Sequence, residues 1–270
     1  MVCAPLLAAA VVAAVAVACS PGYGAYAAAE QEAAGAGGSD LRLRQPPITR
    51  GLSFDFYKRS CPRAESIVRD FVRDAVRKDV GLAAGLLRLH FHDCFVQSYH
   101  SPDLDATDLV ALSGAHTVGL GHCASFEGRL FPRPDPTMSP DFLGRLRRTC
   151  PAKGTDARTV LDVRTPDVFD NKYYVNLVNR EGLLVSDQDL FTNDATRPIV
   201  ERFARSQRYF FHQFGVSMVK MGQIRVLTGG QGQVRRNCSA RNPGTTDDGL
   251  EWSSLVQTVV DAAAESYSTS

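Results

Sequence analysis

The chain has 270 residues, of which 44% are hydrophobic and 22% are charged. This length allows one large or two small domains with an ample core. The 30 Lys and Arg residues nearly balance the 29 Asp and Glu residues, so net charge gives no argument for a nucleic-acid or polyanion partner.

An apolar run from Cys3 to Cys19 opens the chain, and Ala25-Tyr26-Ala27 follows with small residues at the positions that a signal peptidase reads. We therefore predict a secretory signal peptide over residues 1–28, although no Lys or Arg precedes the run and the first basic residue is Arg42. The run is short for a membrane span, and no other stretch approaches 18 apolar residues. The sequence thus predicts a secreted protein without a membrane span.

Residues 29–51 are mostly rich in Ala, Gly, Gln and Ser and are predicted to be a disordered mature N-terminus. From Ala64 to Val80, apolar residues recur at intervals of three and four, which predicts an amphipathic helix. The apolar positions are Ile67, Val68, Phe71, Val72, Ala75, Val76 and Val80.

The next stretch, Gly85 to Gln97, reads GLLRLHFHDCFVQ. If it is helical, Arg88 and His92 are four residues apart and lie on one face. Their neighbours are apolar, so the pair is expected in a dry wall, where fixed charge has its largest effect. These neighbours are Leu86, Leu87, Leu89, Phe91, Phe95 and Val96.

Two other interpretations of this stretch remain open. It can be a buried amphipathic helix whose His and Arg side chains only satisfy hydrogen bonds. It can also be a metal site, because His90, His92, Asp93 and Cys94 are ligand types within five positions. In a helix, His90 and His92 point about 200° apart and cannot share a metal, whereas on a strand they can. The Leu-rich flanks favour the helix.

A polar linker from Ser98 to Pro102 comes next, after which Asp105 or Thr107 is placed to cap a short helix through Leu112. The segment Ser113-Gly114-Ala115-His116-Thr117-Val118-Gly119 follows this helix. Strand-like alternation is nearly absent, which predicts an all-α class. Further helices are predicted at Phe142–Thr149, before Gly182, from Pro198 through Phe203, and from Gln207 to Met221 with Gly222 at its end.

Gly85–Gln97 resembles the distal haem helix of the plant secretory (class III) haem peroxidases, and Ser113–Gly119 resembles their proximal haem helix. Two more segments, Leu161–Tyr174 and Ser186–Phe191, resemble the proximal calcium loop and a further signature of this family. The resemblance covers roughly residues 54–242. It implies the all-α haem peroxidase fold.

The resemblance also implies roles for individual residues. His116 would be the axial ligand of a haem b iron, and Asp187 would accept a hydrogen bond from its other ring nitrogen. Phe91 would lie beside the haem. His92 would move a proton between the two oxygens of hydrogen peroxide, and Arg88 would stabilise the charge on the departing oxygen. Single electrons would then come from two donor molecules, typically phenols.

A proximal calcium site and a disulfide are implied as well. The calcium ligands would be Thr117, Asp162, Thr165, Asp170 and the backbone oxygen of Val168. The other interpretation of Asp162 and Asp170 is that they are solvated loop carboxylates. Asp93 matches one ligand of the family's distal calcium site, and Cys123 would pair with Cys150.

The resemblance is interrupted between the two histidine motifs. Family members carry a Gly-Cys-Asp loop and several helices there, whereas His92 and His116 are only 24 positions apart in this chain. An internal deletion would leave Asp93 as part of an incomplete distal calcium site. It would also explain why the predicted mature chain has an odd number of cysteines, with Cys61, Cys94 and Cys238 lacking partners.

The predicted organisation is therefore a haem peroxidase domain over residues 52–242, truncated in its distal half, and a C-terminal extension over 243–270. That extension is left open as a docked helix, a disordered tail or a removable propeptide, which would allow a vacuolar destination. The expected function is removal of hydrogen peroxide, with a part in the response to oxidative stress, by a monomer. The alternatives are a haem-binding but catalytically weak or unfolded remnant, and a non-haem metal protein using His90, His92 and Asp93.

Overall fold

The computed structural model describes residues 48–95, 104–224, 226 and 228, with the backbone alone for 92–95. The predicted signal peptide (1–28), most of the predicted disordered segment (29–51), the polar linker (98–102) and the extension at 243–270 lie outside these residues. No helix in the described part of the chain is long and apolar enough to cross a membrane.

Helices dominate the described residues, as the sequence predicted. The α-helices are α1 (Ala64–Lys78), α2 (Gly81–Phe95), α3 (Ala106–Ser113), α4 (Pro140–Thr149), α5 (Lys172–Val178), α6 (Val185–Thr192), α7 (Arg197–Arg205) and α8 (Gln207–Met221). Short 3₁₀ turns cover Gly114–Thr117, Cys123–Ser125 and Glu127–Arg129. Two three-residue strands, β1 (Leu120–His122) and β2 (Arg158–Val160), pair antiparallel with Gly121 opposite Thr159.

Local signals set the helix ends. Asp105 begins α3 as its N-cap, because its side chain accepts from the Asp108 amide at 2.9 Å while Asp108 accepts from the Asp105 amide at 3.1 Å. Ser206 caps α8 through a hydrogen bond from the Tyr209 amide at 3.2 Å, and α8 ends at Gly222 as predicted. Pro198 lies in the first turn of α7, where its missing N–H leaves no bond unmade.

The main core is centred on aromatic side chains between α5, α7 and α8. Phe203 and Phe210 are fully buried and pack against Tyr174 at an angle, with each ring centroid 5.0 Å from that of Tyr174. Phe169, also fully buried, stacks on Phe210 at 5.6 Å. Helix α5 packs against α7, and α3 packs against α8. This arrangement places the chain just after α3 against the aromatic core.

A second core lies around α4. It contains Cys123, Phe126, Leu130, Met138, Phe142, Leu146, Cys150 and Leu183. Cys123 and Cys150 form a disulfide with their Cα atoms 5.9 Å apart, as the resemblance implied.

The predicted apolar face of α1 is only half buried. Val72 and Val76 are buried, whereas Phe71 is 75% exposed and Ile67 is 53% exposed. Val80, beyond the end of α1, is exposed as well. Helix α2 is the main neighbour of α1 among the described elements, so one side of the face has no apolar cover there. Helical periodicity predicted the helix correctly but not which of its apolar residues are buried.

Candidate active site

The 3₁₀ turn Gly114–Thr117 carries His116 directly after α3. It fits closely against the aromatic core because Gly114 has no side chain. A Cβ atom built on Gly114 would collide with the Tyr174 hydroxyl and lie 2.5 Å from Cε2 of Phe210. The core therefore fixes the start of the turn, and the turn fixes the direction of His116.

His116 is paired with Asp187 of α6 across 71 sequence positions. Its Nδ1 lies 2.8 Å from Asp187 Oδ1. Because the carboxylate can only accept, the hydrogen is assigned to Nδ1, which leaves the lone pair of Nε2 for a ligand. The His116 side chain is 37% exposed and Asp187 is 2% exposed, so the buried side of the ring is held and the other side is accessible. This is the hydrogen bond that the resemblance implied.

The pair also shifts the protonation of the imidazole. Burial lowers the pKa of His116, but the hydrogen bond and the negative charge of Asp187 outweigh burial and raise this pKa above its ordinary value of 6.5. A raised pKa means that the ring is more basic and a stronger donor of electron density. The arrangement suits an imidazole that acts as a ligand through Nε2.

Asp187 accepts two further hydrogen bonds, which sequence reasoning did not anticipate. The Tyr173 hydroxyl donates to the same Oδ1 atom at 2.9 Å, and the Leu184 amide donates to Oδ2 at 2.9 Å. Burial, followed by the charge of Asp187, raises the pKa of Tyr173 well above its ordinary value of 10.0, so its hydroxyl keeps its proton. Tyr173 lies within a recognised motif, but only its position in the fold shows this contact.

Arg129 is a second residue that the sequence did not single out. Its buried guanidinium donates through Nη1 to the carbonyls of Gly182, Leu183 and Leu184 at 2.5, 2.8 and 3.0 Å. Its Nε donates to Asp135 at 2.7 Å. Arg129 thus holds the loop that leads into α6, from which the Leu184 amide contacts Asp187.

Oxygen atoms converge beside His116, around its neighbour Thr117. The Thr117 hydroxyl lies 3.0 Å from Asp162 Oδ2 and 3.4 Å from both the Val168 carbonyl and Asp170 Oδ1. The Thr165 hydroxyl lies 3.1 Å from Asp170 Oδ1. A hydroxyl has a single hydrogen and donates to one acceptor at a time, so the two hydroxyls satisfy only part of the cluster. Asp162 Oδ1 also accepts from Asn176 Nδ2, and Asp170 Oδ1 accepts from the Lys172 amide, each at 2.7 Å.

The charge balance of this cluster favours a cation. Asp162 is fully buried and Asp170 is 7% exposed, and neither forms an ion pair with a Lys or Arg side chain of the described residues. Burial, and to a smaller extent the charge of Asp162, raises the pKa of Asp170. No group of three or more His, Cys, Asp or Glu suited to a metal occurs among the described residues, but here hydroxyl and carbonyl oxygens complete the set. Such a mixture of oxygens is what calcium prefers.

The residues predicted for the opposite side are only partly placed. Helix α2 carries Arg88 and Phe91, which is 45% exposed. Arg88 is exposed rather than set in a dry wall, because the apolar residues around it, including Leu89 at 58% exposure, lack cover among the described residues. The side chains of His92 and Asp93 lie outside the described part. That Arg88 and His92 face one pocket with His116 therefore stays a prediction.

His90 is buried and contacts α8. It is 5% exposed, and its Nε2 lies 3.3 Å from the Met218 carbonyl of α8. Residues 81–95 are helical. The metal-site interpretation required a strand here, so the helix argues against it.

Comparison with known proteins decides the family. A family model described as Peroxidase matches residues 97–206. The chain is 51% identical to cationic peroxidase SPC4 of Sorghum bicolor, over 84% of this chain and 91% of that protein. It is 37% identical to peroxidase 12 of Arabidopsis thaliana, over 74% of this chain and 86% of that protein, and 31% identical to peroxidase 66 of Zea mays, over 69% and 89%.

The chain belongs to the peroxidase family. This confirms the resemblance to the plant secretory (class III) peroxidases that the two histidine motifs indicated. The oxygen cluster adjoins the His116–Asp187 pair through Thr117.

Proposed function

We propose that this peroxidase holds haem b on Nε2 of His116 and reduces hydrogen peroxide to water with electrons from small phenolic donors. The observation that carries the proposal is the His116–Asp187 hydrogen bond of 2.8 Å, which holds Nδ1 and leaves Nε2 of the partly exposed ring for a ligand. The bound haem would supply the redox chemistry. The remaining steps belong to side chains of this chain.

On the opposite side of the haem, we assign proton transfer to His92. It would take a proton from one oxygen of hydrogen peroxide and return it to the other, which leaves as water. Arg88 would stabilise the negative charge on the departing oxygen, and Phe91 would line the haem face. Two donor molecules then give one electron each and two protons enter, so one peroxide yields two waters.

The oxygen cluster around Thr117 would bind calcium. Thr117, Asp162, Thr165, Asp170 and the Val168 carbonyl are the ligands proposed, because their oxygens converge and two of them are buried carboxylates without a Lys or Arg ion-pair partner among the described residues. The ion would tie the turn that bears His116 to the loop before α5. Asp93 alone would remain of a distal calcium site.

An internal deletion on the distal side is part of the proposal. The alignment with the sorghum relative spans 335 positions, whereas 84% of 270 residues, about 227, take part, so about 108 positions are filled by the relative alone. The Arabidopsis alignment, with 306 positions and 74% of this chain, leaves a similar number. The exposed Phe71 and Ile67 of α1 support the same conclusion, since large apolar side chains are normally covered.

The deletion favours a second candidate function, a haem-binding remnant with weak turnover. The observation behind it is that Arg88 is exposed to water, where its charge acts on peroxide far less than in a dry pocket. We further propose that the chain is secreted as a monomer through residues 1–28, with the vacuole as destination if residues 243–270 direct sorting.

Reconstitution with hemin tests these proposals. We expect a Soret band and turnover of a phenol with hydrogen peroxide in the wild type, and loss of the Soret band in His116→Ala. His122→Ala is the matched control, because His122 is an exposed histidine on β1. A Soret band without turnover identifies the remnant, and a wild type without a Soret band overturns the haem proposal.

A further inference from the structure

Tyr173 reaches the centre of the site from α5 without being near His116 in sequence. Its hydroxyl donates to Asp187 Oδ1 at 2.9 Å, the same atom that lies 2.8 Å from His116 Nδ1. Its ring meets the His116 ring edge to face at 6.1 Å. Tyr173 is 2% exposed, so water does not compete for this hydrogen bond.

The shared oxygen gives Tyr173 a chemical consequence. Each hydrogen bond donated to a carboxylate spreads its negative charge and weakens its hold on other donors. With the Tyr173 hydroxyl on Oδ1, Asp187 draws the Nδ1 hydrogen of His116 less strongly than it would alone. The pull on that hydrogen sets the electron density at Nε2, where the haem iron would bind.

We propose that Tyr173 is a positioning residue for the axial-ligand pair. It fixes Asp187 Oδ1 opposite His116 Nδ1 and limits the electron density that His116 gives to its ligand. The inference rests on the proposed function for its effect on iron, but its effect on the His116–Asp187 hydrogen bond is independent of haem.

Tyr173→Phe removes the hydroxyl and keeps the ring. In hemin-loaded protein we expect the ferric/ferrous reduction potential to fall and the iron–histidine stretching frequency of the ferrous form to rise, because Asp187 then pulls harder on His116. Tyr174→Phe is the matched control. Tyr174 is also fully buried and also donates through its hydroxyl, but to the Val110 carbonyl at 2.9 Å rather than to Asp187, so neither quantity should change.

A second measurement uses the protein without haem. In ¹⁵N-histidine-labelled apoprotein, the Nδ1 hydrogen of His116, identified by its absence in His116→Gln, should move downfield in Tyr173→Phe and stay unchanged in Tyr174→Phe. If the wild type gives no Soret band, the proposed function fails, and this measurement still decides the role of Tyr173.

If none of these three signals changes in Tyr173→Phe, the inference is overturned because the effect is absent. If they change equally in Tyr174→Phe, it is overturned because the change then reflects a general loosening of the core. If Tyr173→Phe does not fold, 3-fluorotyrosine at position 173 replaces it. That residue keeps the ring and donates more strongly, so all three signals should shift in the opposite direction. Their failure to move would overturn the inference as well.

Discussion

Gly114 lies against two side chains of the aromatic core, and His116 follows it in the same 3₁₀ turn. A side chain at position 114 would have to displace the Tyr174 hydroxyl or the Phe210 ring, and both residues are fully buried. Close-packed interiors do not yield to an added methyl group without strain. The position of the candidate haem ligand therefore depends on a residue that carries no chemistry of its own.

Gly114→Ala should destabilise the protein by about 1–3 kcal/mol, because the added methyl group overpacks the core. Chemical denaturation measures this change in unfolding free energy. Gly144→Ala is the control, since Gly144 lies inside α4 with no atom within 4 Å of an added Cβ. It should stabilise the protein by about 0.5–1 kcal/mol through helix propensity. Equal effects of the two substitutions would contradict the packing argument.

Between elements, the buried carboxylate of Asp108 on α3 forms hydrogen bonds with α8. Asp108 is fully buried and accepts from Ser217 and from Lys220, each at 2.7 Å, and from Gln213 at 3.2 Å. Burial raises the pKa of Asp108, but these hydrogen bonds and the charge of Lys220 outweigh it and leave the pKa below its ordinary value of 3.8. Since α3 leads directly to His116, this contact helps to orient the site.

Asp108→Asn should lower the unfolding free energy at pH 7 by about 1–3 kcal/mol, the usual range for hydrogen bonds to charged groups. A carboxylate with a lowered pKa in the folded state stabilises the fold above the ordinary value and loses this effect as pH falls through the lowered pKa. The difference between wild type and Asp108→Asn should therefore shrink below pH 3.8. Denaturation curves across that range measure it.

The exposed Asp141 supplies the comparison. Asp141→Asn should leave the unfolding free energy within about 0.5 kcal/mol of the wild type. A difference between wild type and Asp108→Asn that stays constant down to pH 2 would show that the charge of Asp108 is not responsible.

The Cys123–Cys150 disulfide joins the segment after β1 to the end of α4 across 27 positions. Cys123→Ser with Cys150→Ser should lower the unfolding free energy by about 2–5 kcal/mol, because the unfolded chain regains the entropy of the open loop. Thermal unfolding measures the loss. Cys61→Ser should cause none, because Cys61 is exposed and free, and a drop of similar size there would refute the assignment.

On the scale of the whole molecule, the proximal side is well packed and the distal side lacks cover among the described residues. The oxygen cluster around Thr117, the aromatic centre of the main core and the second core lie with the proximal motif, and α1 and α2 contribute the buried Val72, Val76, Ala83 and Leu87 to the main core. The exposed Phe71, Ile67 and Leu89 lie on α1 and α2. The proposed deletion would have removed contacts from the distal half and kept the oxygen cluster of the proximal half.

Purified, hemin-loaded protein should therefore contain one calcium ion per chain. Calcium needs six to eight oxygens, which the proximal cluster approaches and Asp93 alone does not. Asp170→Asn should lose the ion and lower the melting temperature, since a ligand bound only to the folded state stabilises it. The control variant Asp141→Asn should retain the calcium ion and the wild-type melting temperature. Metal analysis measures the number of calcium ions per chain. Two ions would show that the distal site also binds calcium, and none would contradict the proximal site.

The amino-acid sequence by itself determined the helical class, the span of α8 and the family. Ser206 and Gly222 mark the ends of α8 through local capping, which depends only on neighbouring residues. The family resemblance, which includes the segment Ser186–Phe191, predicted the pairing of His116 with Asp187 across 71 positions. The Cys123–Cys150 bond followed from the same resemblance.

Only the tertiary structure decided which residues surround these groups. Tyr173 donates a hydrogen bond to Asp187, and Arg129 donates hydrogen bonds to the loop before α6. Phe71 is exposed although it lies on the predicted apolar face. Neither the two hydrogen bonds nor the exposure of Phe71 has a periodic or local signal in the sequence. Each depends on which elements pack together, and packing joins residues that the chain keeps far apart.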